Sequence, residues 1–224
     1  MLENTKFREK KVMIIKNLLK EVNITNFLKY SLTIFVAMMI PIYSYYYGPL
    51  NFLWFSDMGL FLTVIALWAQ SDLIFSMAAV GILTLEIAWC LDFITDLSRA
   101  LDLTKFDLVD GLSDYMFHND YPLPLRLMSL FHVILPFAWF YYLYKWGYDR
   151  RAYIYFLPLY WADITLTYLL TEPKLNTNWV FMPIDYPSIS QNSWLIFLYI
   201  GVPIILFLPV HFILSKLFKE PEKR

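Results

Sequence analysis

Apolar residues fall along the chain in six runs, near Phe27–Tyr47, Leu50–Ala69, Leu73–Thr95, Leu123–Tyr144, Ala152–Leu170 and Trp194–Phe218. A helix needs roughly 20 such residues to cross the hydrocarbon layer of a bilayer. The pattern therefore predicts an all-α polytopic membrane bundle of six transmembrane helices. Gly48-Pro49 and Gln70-Ser71-Asp72 are the only polar breaks between the first three runs, so both are expected to be tight helical hairpins. No linker and no internal repeat divides the chain, and residues 1–224 are expected to form a single transmembrane domain.

Residues 1–26 are a different kind of segment. Val12, Ile15, Leu18 or Leu19, and Val22 recur at helical spacing among Lys10, Lys11, Lys16 and Lys20. That pattern predicts an amphipathic helix lying on the anionic cytoplasmic surface. The segment is too polar for a secretory signal, whose apolar region follows only a short basic stretch.

Composition narrows the class further. With 59% hydrophobic residues and a mean hydropathy of +0.50, the chain is neither disordered nor a small disulfide-rich module. Its lone cysteine, Cys90, permits no internal disulfide. A net charge of −1 says little until the charges are sorted by side. Of 18 Lys and Arg residues, 14 fall on one side, in the N-terminal segment through Lys29, the turn at Gln70, the turn from Lys145 to Arg151 and the C-terminal end from Lys216. Cytoplasmic segments carry this excess, so both termini are expected inside, in a multi-pass protein of the cell membrane. The segments from Asp96 to Pro122 and from Glu172 to Ser193 then face out. The expected partners are membrane lipids and a lipid-like ligand, with no nucleic acid among them. The acidic stretch containing Asp92, Asp96, Asp102, Asp107, Asp110, Asp114 and Asp120 lacks calcium-loop spacing. It reads as a solvated loop with one short interfacial helix.

Ionisable side chains within a bilayer are costly and tend to mark sites or paired contacts. From the helical rise, Asp57 lies about 10 Å and His132 about 13 Å below the outer ends of their spans. Glu86 and Asp163, entering from inside at about 20 Å and 17 Å, reach the same outer half. Four helices thus bring polar groups to one depth, with Asn51, Asp92, Arg126, Ser129, Thr167 and Glu172 above or beside them. Arg126, Ser129 and His132 follow at i, i+3, i+6 and share one stripe. Pro136 removes the hydrogen bond to the His132 carbonyl, and a kink there would leave that oxygen to a ligand or water.

Three chemistries suit such a cluster. Histidine with carboxylates can hold a metal, although no His-x-x-x-His spacing or cysteine pair supports one. His132 can be a general base oriented by a carboxylate, with Ser129, Ser56 or a threonine as nucleophile. Or Asp57 and Arg126 form a buried ion pair while His132 makes an interhelical hydrogen bond. The last outer segment adds Asn176, Asn178 and Trp179, whose amides and indole suit either a cap over a pocket or a turn tied down at the interface. Tyr43, Tyr45, Tyr46 and Tyr47 read as an aromatic belt.

The strings Asn51-Phe-Leu-Trp-Phe-Ser-Asp57, Arg126-Leu-Met-Ser-Leu-Phe-His132-Val-Ile-Leu-Pro136, Gly147-Tyr-Asp-Arg-Arg-Ala152 and Asn176-Thr-Asn-Trp-Val-Phe181 resemble a group of bacterial integral membrane proteins that brings no function with it. More remotely, the six-span order, the span-four histidine followed by Pro136 and the Trp-Val-Phe segment are similar to the androgen-induced family of transmembrane lipid hydrolases and its acyltransferase relatives. That resemblance implies a six-helix bundle in which a threonine and a histidine attack fatty ester bonds. By it His132 would be the base, while Thr33, Ser44, Ser56 and Thr63 fall in no matching motif for the nucleophile. The resulting expectation is a polar pocket in the outer half that binds or cleaves a lipid-like ester. Its catalytic groups would be His132, Asp57, Glu86 and Ser129, with Arg126, Asp163, Asn176, Asn178 and Trp179 binding substrate and no metal. The alternative is a non-catalytic membrane carrier or partner subunit whose buried charges serve helix packing.

Overall fold

The computed structural model describes residues 2–106, 111–182 and 189–222, with side chains described from residue 24 onward. Asp107 and Asp110 and the apolar face predicted at Val12 to Val22 lie outside what is described. Among the described residues all regular structure is helical. The long helices are α1 (Leu2–Tyr46), α2 (Phe55–Ala69), α3 (Asp72–Ala100), α5 (Phe131–Trp146), α6 (Ala152–Leu170) and α7 (Gln191–Leu217), with a short α4 (Leu123–Met128) before α5. Four helical stretches are long and apolar enough to cross a membrane: Ile24–Tyr46, Asp72–Ala100, Leu123–Trp146 and Gln191–Leu217.

Three expectations change. The N-terminal segment and the first apolar run are one continuous helix, α1, with no break near residue 26. The second run starts later than expected. Gly48, at φ +83°, turns the chain into a 3₁₀ helix at Pro49–Leu53, so α2 has only 15 residues. Its length is about 22 Å, short of the roughly 30 Å of a bilayer core. The fourth run is also interrupted. Between α4 and α5 the bonds Ser129 N→Arg126 O, Leu130 N→Leu127 O and His132 N→Ser129 O are of the i→i−3 kind. In such turns residues i and i+3 eclipse, so the interruption does not by itself part Arg126 from His132; their side chains find different partners.

Helix α3 is the centre of the bundle, packed against α2, α5 and α6. Small side chains make this possible. Ala78, Ala79 and Gly81 are buried on it, and a Cβ on Gly81 would fall 2.0 Å from the Phe156 ring of α6. In a bilayer, where apolar surface gains little from leaving lipid, such close approach is what holds helices together. Helices α1 and α7 lie outside this core. Only 17% of the most apolar window of each is buried, and Phe27, Ile34, Ile205 and Leu217 are left exposed. An apolar shell of this extent suits lipid rather than water.

Proline shapes α7. Pro203 has no N–H, so the Tyr199 carbonyl four residues earlier loses its helical donor. Wide π turns follow at Phe197–Gly201 and Pro203–Phe207. Side chains from α6 take up the freed oxygens: Trp161 Nε1 donates to Tyr199 O and the Tyr160 hydroxyl to Leu198 O, both at 2.9 Å. The two helices are thereby locked at one register.

Gly81→Ala should lower the thermal unfolding midpoint in detergent, since Phe156 is itself packed against Phe207 at 5.4 Å and has little room to retreat. The expected loss is about 2 kcal/mol. Gly81→Ala combined with Phe156→Leu should recover part of it.

Candidate functional site

One end of the bundle, where α1 finishes and α2 begins, encloses a cavity of about 460 Å³. That is within the roughly 300–1,000 Å³ of small-molecule sites. Its acidic and basic lining groups are Asp57, Glu86 and His132, with Ser56, Ser129, Asn178 and Trp179 also on the wall.

The central contact joins two helices. Glu86 of α3 and His132 of α5 meet with Oε2 2.7 Å from Nδ1. Glu86 is 1% and His132 8% exposed. The imidazole is held flat between aromatic rings, with Trp89 at 4.4 Å and Phe131 at 4.3 Å, both nearly parallel to it. A carboxylate on Nδ1 fixes the tautomer that leaves Nε2 free, and among the described residues Nε2 has no hydrogen-bond partner. Glu86 Oε1 has none either. The backbone at His132 is also tied. The carbonyl freed by Pro136, expected to be open to a ligand, is 3.5 Å from Cys90 Sγ of α3.

Asp57 enters from the first turn of α2, 2% exposed. Asn51 Nδ2 donates to its Oδ2 at 3.2 Å, and its Oδ1 is buried without a partner. Arg126 does not pair with it, contrary to the ion-pair expectation. The guanidinium instead donates to Met116 O at 2.7 Å and Asn119 Oδ1 at 3.3 Å. Arg126 is not among the described residues of the cavity wall, because its guanidinium is held by these two loop oxygens.

Asp163 and Asn176 are likewise off the cavity wall. Asn178 Oδ1 accepts from Phe55 N at 3.0 Å, while its Nδ2 donates to Leu53 O at 2.6 Å and Asp163 Oδ2 at 2.8 Å. This single amide therefore binds the start of α2 to α6. Asn176 Oδ1 accepts from Phe181 N. Asn176, Asn178 and Trp179 all have positive φ, a conformation asparagine tolerates better than most residues. Both amides are committed to shaping this turn, whose Asn178 and Trp179 then close one side of the cavity.

The acidic stretch from Asp92 to Asp120, expected to be a solvated loop, is not one throughout. Asp92 and Asp96 are 0% and 4% exposed. The Ser113 hydroxyl lies 3.0 Å from Asp92 Oδ2 and 2.5 Å from Asp96 Oδ2, and Ser113 N donates to Asp92 at 2.9 Å. Arg99 bonds the other oxygen of Asp96 at 3.1 Å. These contacts fold the stretch back over α3 and bring Tyr115 into the cavity wall. Burial pushes the Tyr115 phenol above its ordinary range, opposed by the neighbouring Ser129 and Trp89 side chains, so it remains a hydrogen-bond donor.

Sequence reasoning missed several wall residues. Tyr43 and Tyr47 were expected in a belt but line the cavity, being i and i+4 on one face of α1, whereas Tyr45 and Tyr46 are exposed. Trp89 follows Glu86 at i+3, so helical spacing alone could have placed it. Nothing local signals Tyr115. Of the hydroxyls suggested by the family resemblance, only Ser56 reaches the wall. Thr33 is tied to Lys29 O and Trp68, and Thr63 to Gly59 O and Trp139. Among the described residues no group of three or more His, Cys, Asp and Glu is arranged to hold a metal ion.

No family model, curated protein or solved structure matches the chain. The functional reading therefore stands on the geometry of this cavity.

Asn178→Ala should loosen α2 from α6 and leave Asp163 without its donor. The expected cost is about 2–3 kcal/mol in unfolding free energy, read as a lower thermal midpoint. Asn176→Ala, which loses one hydrogen bond, should cost about 1 kcal/mol.

Proposed function

We propose that the chain is a six-span protein of the cell membrane, with both termini cytoplasmic, whose cavity in the outer half of the bilayer binds and hydrolyses a lipid-like ester. The observation that carries this reading is the 2.7 Å Glu86–His132 contact at the wall of an aromatic cavity, with no partner for Nε2 among the described residues. The distribution of Lys and Arg supports the orientation. The six-span count requires α2 to cross together with its 3₁₀ extension and α6 to cross at about 28 Å.

In this reading His132 is the general base. Nε2 takes the proton of an attacking hydroxyl as its oxygen adds to the ester carbonyl, and the proton then passes to the leaving alkoxide. Water does this in one step; Ser129, attacking first, forms an acyl ester that a water activated by the same Nε2 then cleaves, which releases the fatty acid and restores the serine. Glu86 holds the ring orientation and stabilises the imidazolium between these steps. Tyr115 and the Trp89 indole N–H are the wall donors suited to a carbonyl oxygen that gains charge. Asn178 and Trp179 confine the polar end of the substrate, and the apolar wall receives its chain.

A second reading has one specific observation in its favour. Arg126, Asp163 and Asn176 all serve helix and loop contacts rather than the cavity. A carrier or partner subunit that binds a lipid without cleaving it would need no more than this.

Purified protein should release fatty acid from at least one member of a broad panel of lipid esters. His132→Ala should lower that rate by about a hundredfold or more, and Glu86→Gln by about tenfold or more. An inactive wild type, or a His132→Ala variant as active as wild type, favours the carrier reading.

A further inference from the structure

Two carboxylate oxygens are left without donors at the same cavity. Asp57 Oδ1 and Glu86 Oε1 are buried and unpartnered, on side chains 2% and 1% exposed, and both residues line the wall. A buried carboxylate oxygen without a donor is unfavourable, and a ligand that brings a positive charge or a strong donor relieves both at once. The nearest fixed cation cannot do so, because Arg126 is engaged by Met116 and Asn119. Among the described residues no lysine or arginine lines the wall, and His132 is the other charge-bearing group there.

The remaining wall is aromatic. Tyr43, Tyr47, Trp54, Trp89, Tyr115 and Tyr121 contribute to it, with Tyr47 in edge contact with both Tyr43 at 5.1 Å and Tyr121 at 4.8 Å. Faces of tyrosine and tryptophan carry negative potential and attract ammonium groups. Acidic oxygens backed by such rings are the chemistry that recognises alkylated amines. A neutral hydroxyl would meet the oxygens but gain nothing from the rings. A divalent metal would need a ligand group that is not present among the described residues.

We propose that the cavity selects an ammonium group, held between Asp57, Glu86 and the surrounding tyrosine and tryptophan rings. This rests on the reading of the cavity as a ligand site and names the head of its ligand, whether the bound molecule is then cleaved or only carried. The source of the ammonium is a lipid-like amphiphile or a free small amine, and the two share this recognition.

The full chain in a nonionic detergent, titrated by its tryptophan fluorescence, tests the proposal with three probes. Dodecyltrimethylammonium carries the head and a tail but no ester. Tetramethylammonium is the head alone, and 1-dodecanoylglycerol is a neutral ester of matched chain. Dodecyltrimethylammonium should bind about tenfold or more tighter than the neutral ester. Asp57→Asn should weaken the ammonium probe by about tenfold and leave the neutral one little changed, while Asp57→Glu should keep most of the affinity. Equal affinity of the ammonium and neutral probes for the wild type overturns the proposal, as does an Asp57→Asn variant that binds the ammonium probe undiminished. Should Asp57→Asn fail to fold, the wild-type comparison decides alone. Tight binding of tetramethylammonium identifies a free amine as the source, and a requirement for the tail identifies an amphiphile. Because the ammonium probe has no ester, its binding is independent of hydrolysis. Preferential binding with no ester cleaved removes only the hydrolase reading, and cleavage of the neutral ester without ammonium preference removes only this proposal.

Discussion

The Glu86 carboxylate, 1% exposed in the middle of the central helix, is the constraint on which the rest of this end of the bundle depends. A charge that deep needs a partner, and the partner must come from another helix. His132 supplies it at 2.7 Å, which sets the rotation and height of α5 against α3. Cys90, four residues after Glu86, meets the backbone of the same histidine, so side chain and main chain are fixed together. Pro136 matters here by what it removes: the carbonyl that Cys90 reaches is the one that Pro136 cannot serve.

The surrounding polar groups divide into two kinds of work. Arg126, Asn176, Asn178, Asp92 and Asp96 tie loops and helix ends to one another through hydrogen bonds. Asp57 and Glu86, which line the cavity, each keep one carboxylate oxygen unmatched. Polar groups that are satisfied stiffen a structure, and those left unsatisfied beside empty space are where a ligand gains most.

The shape of the cavity comes from backbone departures rather than from regular helix. Gly48 at positive φ redirects the chain from α1 into the 3₁₀ segment that carries Asn51 to Asp57. A 3₁₀ step at Ser129 interrupts the helix between Arg126 and His132. The left-handed residues Asn176, Asn178 and Trp179 fold the last loop over the start of α2. Each departure is stabilised by hydrogen bonds that reach across the sequence, and none extends the pattern of its own segment.

The helical class and the apolar runs were legible from the sequence alone, because roughly 20-residue apolar periods and Gly, Pro and polar breaks are local properties. The limits of α6, at Ala152 and Leu170, were read without change. Of the four groups counted to one depth by a fixed rise per residue, Asp57, Glu86 and His132 line one cavity, whereas Asp163 is not among its described wall residues. Tertiary structure alone decided which polar residues share a partner. It paired Glu86 rather than Asp57 with His132 and took Arg126 and Asp163 away to other contacts. It also drew Tyr115 in from a loop that reads as solvated. The physical reason is that rise along a helix is set by the backbone, whereas the direction of a side chain depends on small changes of turn and on contacts with segments distant in the chain.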